Sequence, residues 1–76
     1  MRRQRNRELD RFGRAIRNLR KERGFSQESL ALEADINRTY MGGLERGEEN
    51  VSLLTILKIC AVLDVKASEI LALAEL

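Results

Sequence analysis

The chain has 76 residues, a net charge of +2, 43% apolar side chains, and neither histidine nor proline. That leaves room for one small domain and is too apolar for a disordered segment of such low net charge. Without histidine no Ser-His or Cys-His nucleophile pair can form, and one cysteine, Cys60, allows neither an internal disulfide nor a zinc cluster.

More than half of the residues are Ala, Leu, Met, Gln, Glu, Lys or Arg, the strong helix formers, so an all-α domain is expected. Charge is unevenly placed along it. Residues 1–23 hold ten Arg and Lys against three acids, a net of +7, while residues 24–76 hold four against nine, a net of −5. Residues 1–7, with Arg2, Arg3, Arg5 and Arg7, read as a flexible basic arm, and residues 8–76 as the domain. Such an arm fits a polyanion, either nucleic acid or an anionic membrane; a merely solubilising tail has the same composition.

Leu9, Phe12, Ile16 and Leu19 form the apolar stripe of a first helix, which ends at Gly24. Ser26 is an N-cap for a second helix, Gln27 to Ala34, that buries Leu30, Ala31 and Ala34. Asn37 is the next cap. It opens a third helix, Arg38 to Arg46, that buries Met41 and Leu44 and stops at Gly47. Gly42 and Gly43 inside it cost roughly 1 kcal/mol each relative to Ala, so close packing or close approach of a ligand must favour them. Ser52 caps a fourth helix from Leu53 to Leu63, with Leu53 expected in the core. A fifth runs from about Ala67 to the end, with Val65, Ile70 and Leu71 claimed by the core.

No apolar run reaches the roughly 18 to 20 residues that span a bilayer. The longest stretch, Val51 to Val65, is broken by Ser52, Thr55, Lys58 and Asp64. The basic N-terminus lacks the apolar stretch of a secretory signal, and Glu8, Asp10 and Glu22 count against a transit peptide. Cys60 reads as a small buried hydrophobe, and one reduced thiol fits a cytosolic setting.

Two short helices, the second opening three residues after the first closes, make the helix-turn-helix pattern. Within Gln27 to Arg46 the small residue at the helix crossing is Ala31, and the apolar places fall on Leu30, Ala34, Ile36, Met41 and Leu44. With Ile16-Arg17-Asn18-Leu19-Arg20, Ser26-Gln27-Glu28 and Leu44-Glu45-Arg46-Gly47, the chain resembles the lambda-repressor/Cro (XRE) family over residues 9–72. Asn37-Arg38-Thr39-Tyr40 through Gly47, with Asn50 beyond, is most similar to the controller proteins of restriction–modification systems.

The resemblance implies a five-helix lambda-repressor-like fold and a dimeric transcriptional regulator bound to a palindromic operator in double-stranded DNA. It also implies a cytoplasmic setting, bacterial or phage and nucleoid-associated. The first turn of a recognition helix meets base edges, which assigns base reading to Arg38, Thr39 and Tyr40. Arg38 can donate two hydrogen bonds to guanine O6 and N7, and Thr39 can offer its hydroxyl or its methyl. Gln27, Arg46 and Asn50 are assigned to the DNA backbone. Glu45 is implied to pair with Arg20 in a structural ion pair.

Three departures stand out. Gly43 replaces a polar base-reading side chain, Asp35 takes a turn position that is commonly glycine, and Glu49 replaces a basic residue, which weakens phosphate contact there. A two-fold dimer needs apolar surface beyond the core. Leu54 and Ala61 on the fourth helix and Leu73 and Leu76 on the fifth are the candidates, the alternative being that the last helix merely covers its own core. No cofactor, metal, small-molecule ligand, membrane or catalytic role is expected. An antitoxin of a toxin–antitoxin pair, or a protein- or RNA-interaction module that keeps the fold, is the competing reading.

Overall fold

Capping side chains set where the helices begin. In the computed structural model, which describes residues 6–76, Asn6 Oδ1 accepts the Leu9 amide at 2.9 Å and starts α1 (Arg7–Glu22). Ser26 starts α2 (Gln27–Glu33) through a reciprocal pair. Its Oγ accepts the Ser29 amide, and Ser29 Oγ accepts the Ser26 amide, both at 2.9 Å. Asn37 starts α3 (Arg38–Glu45), and Ser52 starts α4 (Leu53–Leu63). At α5 (Ala67–Leu73) the Glu69 carboxylate accepts the Lys66 amide at 2.9 Å. Each such cap satisfies an amide the helix leaves open, worth about 1 kcal/mol. All five elements are α-helical, with no strand among the described residues.

The helix ends share one device. After α3 the Glu48 amide donates to the Gly43 carbonyl at 2.9 Å and the Gly47 amide to Leu44 at 3.1 Å, with Gly47 left-handed at φ +77°. This double closure turns the chain sharply while satisfying the last carbonyls. α2 closes in the same way on Asp35 at φ 58°, at the turn where glycine is the common residue. Asp tolerates that geometry with some strain. Arg23 adds a tertiary cap, donating from Nη1 to the Leu63 carbonyl at the end of α4 at 2.8 Å.

Phe12, Ile16 and Leu19 of α1, Leu30 and Ala31 of α2, Met41 and Leu44 of α3, Ile59, Cys60 and Leu63 of α4 and Ile70 of α5 form one buried core. α1 and α3 cross at Gly13. A Cβ there would collide with the Leu44 carbonyl oxygen and lie 2.7 Å from that of Glu45. Only glycine allows this approach.

Three expectations need correction. Leu53 is 67% exposed rather than buried. The core stripe of α4 is Ile56, Ile59, Cys60 and Leu63, and Leu53 lies off that stripe in the first turn. The arm does not extend to residue 7, because Asn6 caps α1 and Arg7 is its first residue. Its other members, Arg2, Arg3 and Arg5, lie outside the described residues. Val65 and Leu71 are half-buried against the core rather than within it.

Candidate nucleic-acid interface

Asn37 fixes the start of α3. Its Oδ1 accepts the Tyr40 amide at 3.1 Å, which holds the first turn in register. Arg38 and Thr39 project from that turn and are exposed. Tyr40 is half-buried and packs against the core, so part of its ring is committed to the fold.

A buried polar brace holds the opposite end of α3. Arg20 Nε donates to Glu45 Oε2 at 2.6 Å and Nη2 to Oε1 at 3.1 Å, while Nη1 donates to the Phe25 carbonyl at 2.8 Å. Gln27 Nε2 donates to the same Glu45 Oε1 at 3.0 Å. One carboxylate therefore ties α1, α2 and α3 together, with the guanidinium fork matching its two oxygens. Among the described residues no buried side-chain polar atom lacks a partner, as a buried charge pair requires.

Gln27 and Arg46 meet over Gly42. A Cβ at Gly42 would lie 3.5 Å from Gln27 Oε1 and 3.2 Å from Arg46 Nη1. Arg46 Nη2 is 3.2 Å from Glu48 Oε1 on the surface, and Asn50 is exposed at the end of the same loop. On the α1 side an open groove of about 260 Å³ is lined by Asp10, Arg14, Arg17, Glu45, Arg46 and Glu48. In the sequence Arg14 and Arg17 stand out only as part of the basic segment. Their spacing, one and two turns before Arg20 on α1, was the signal that places them beside the brace.

The helix-turn-helix family pattern matches residues 16–70. The chain belongs to the helix-turn-helix family of DNA-binding transcriptional regulators, which are not enzymes. The control protein C.MunI from Mycoplasma sp is 46% identical over 61 residues, 79% of this chain and 82% of that protein. The restriction–modification controller protein C.AhdI from Aeromonas hydrophila superposes with a TM-score of 0.84 at 45% identity, covering 86% of this chain and 98% of C.AhdI. SinR, solved in complex with DNA, superposes at 0.76 with 36% identity, covering 79% of this chain and 97% of the SinR chain.

In this helix-turn-helix, α2 and α3 are the paired helices and α3 is in the position of the recognition helix. Apart from Leu32 of α2, the exposed large apolar residues lie on α4 and at the end of the chain, on and after α5. Leu54, Ala61, Leu73 and Leu76 are all exposed, and Leu53 and Leu57, which the sequence did not single out, are exposed as well. Cys60 is buried on the core side of α4, where burial, with a smaller contribution from Glu69, pushes its thiol above the usual value. No helix among the described residues is long and apolar enough to cross a membrane. None of them form a group of three or more His, Cys, Asp or Glu placed to hold a metal ion.

Proposed function

We propose that the chain is a sequence-specific regulator of the restriction–modification controller kind, acting as a homodimer on a palindromic operator in a bacterial or phage-infected cell. The observation that carries this reading is the exposed first turn of a helix that is held rigidly at its other end. Arg38 and Thr39 stand exposed at the start of a helix whose far end is clamped to α1 and α2 through Glu45. A major groove admits such a helix, and a rigid mount keeps its donors aligned with base edges.

Arg38 takes guanine, Thr39 a neighbouring base, and the open part of Tyr40 a sugar or phosphate. Gln27, Arg46 and Asn50 face the backbone on one flank, and Arg14 and Arg17 extend the positive surface along α1. The arginines at 2, 3, 5 and 7 add charge that attracts phosphate without regard to sequence. Leu54, Ala61, Leu73 and Leu76, with Leu53 and Leu57, provide the apolar surface through which two copies pair.

Selection of binding sites from random duplex DNA tests this reading. A two-fold symmetric consensus with a guanine in each half-site is the expected result. Binding without any enriched sequence would overturn it and favour an interaction module that keeps the fold.

A further inference from the structure

Gly43 lies one turn after Thr39 on α3, so the two share the face that the proposed reading directs at the major groove. That face is not bare at Gly43. The loop after α3 folds back through left-handed Gly47 and lays the Glu49 side chain across the glycine. A Cβ at Gly43 would lie 2.9 Å from Glu49 Oε2, 3.1 Å from Cγ and 3.4 Å from Cδ. The bond from the Glu48 amide to the Gly43 carbonyl, at 2.9 Å, fixes the loop at this place. Among the described residues none holds the Glu49 carboxylate in a hydrogen bond or ion pair, and the side chain is half-buried against the helix.

We infer that Glu49 is a base-reading residue, delivered from the loop to the place on α3 that Gly43 leaves open, and that it selects cytosine. The inference rests on the proposed reading of α3 as the recognition helix. A carboxylate only accepts hydrogen bonds. The major groove offers it two donors, the amino groups of cytosine and adenine. On adenine the adjacent N7 is an acceptor and opposes the second carboxylate oxygen. Cytosine carries only a C–H on that side of its amino group, so it is the better partner. Phosphates repel the same carboxylate, so Glu49 contributes discrimination rather than general affinity. This also gives the two glycines of α3 separate uses: Gly42 admits Arg46 and Gln27, and Gly43 admits Glu49.

The test is site selection from random duplex DNA by the full chain and by Glu49→Ala and Gly43→Ala variants, with affinities measured on the selected duplex and its single-base variants. The wild type is expected to select a cytosine at one position of each half-site, beside the guanine taken by Arg38. Glu49→Ala should lower the preference for that cytosine about tenfold and leave the guanine preference intact. Gly43→Ala keeps the carboxylate but displaces it with a Cβ, and should lose the same cytosine. Unchanged base preference in both variants, with Glu49→Ala binding all sequences more tightly by one common factor, would overturn the inference and leave Glu49 as a phosphate-repelling residue. A wild type that selects no sequence would overturn the reading of the interface itself, and this role with it.

Discussion

The Glu45 carboxylate receives Arg20 through both of its oxygens, at 2.6 and 3.1 Å, with both residues buried between α1 and α3. Gln27 donates to the same carboxylate, so the helix-turn-helix and the helix before it share one acceptor. A buried carboxylate in this state is costly to leave half-paired.

Glu45→Ala is therefore expected to destabilise the domain by about 3–5 kcal/mol, because Arg20 keeps its charge inside the protein without a partner. Replacing both residues, as in Arg20→Met with Glu45→Leu, should recover more than half of that loss. Urea denaturation measures both. A loss under 1 kcal/mol for Glu45→Ala would mean that water already reaches the pair.

Gly13→Ala separates helix propensity from packing. Inside an isolated helix the change would stabilise by about 1 kcal/mol. Here the new Cβ meets the backbone carbonyls of Leu44 and Glu45, which cannot rotate away. The expected outcome is a net destabilisation of about 1–3 kcal/mol, read from the shift in denaturation midpoint. A stabilised variant would mean that α1 and α3 are free to move apart.

Leu54→Glu tests the pairing surface. Leu54 is 71% exposed, so the fold tolerates the carboxylate. In a two-fold interface the same change brings like charges together out of water, at a cost of several kcal/mol. The variant should be folded, sediment as a monomer at micromolar concentration, and bind a full palindrome hundreds-fold more weakly while still touching a half-site. A folded variant that stays dimeric would move the interface to Leu73 and Leu76 of α5.

Cys60 sets an alkaline limit. Its thiol is raised from the ordinary 9.0 by burial and by Glu69, so the folded chain holds the proton after the unfolded chain has lost it. Stability linked to this group is fully present below pH 9.0 and falls as pH rises from there through the folded value, by up to about 1.4 kcal/mol per pH unit. The difference in stability between the wild type and Cys60→Ala, followed from pH 7 to 10.5, should shift against the wild type above pH 9.0. A difference that stays flat would mean that the thiol ionises equally in both states.

The helices were legible in the sequence because each carries its own local signals. Ser26, Asn37 and Ser52 mark starts, Gly24 and Gly47 mark ends, and the stripe Phe12, Ile16, Leu19 is read directly from its spacing. Asn6 with Glu8 and Asp10 was an equally good start signal. The density of arginines before it pointed to an arm instead and put the boundary one residue too late. What was not legible depends on contacts between elements. Gly13 looks like any helical glycine until α3 crosses it. Leu53 fits the apolar pattern of α4 but falls where no other helix covers it. Glu49 read only as a misplaced charge in a loop, because nothing local says that the loop returns to Gly43.

Arg38→Ala asks whether the first turn of α3 reads bases. Equilibrium binding of the wild type and the variant should be measured at one salt concentration on the selected operator and on random duplex DNA. The expected result is a loss of about 1–3 kcal/mol on the operator, the disappearance of preference at one guanine per half-site, and little change on random DNA. Equal losses on operator and random DNA, with the guanine preference intact, would contradict base reading and assign Arg38 to the phosphate backbone.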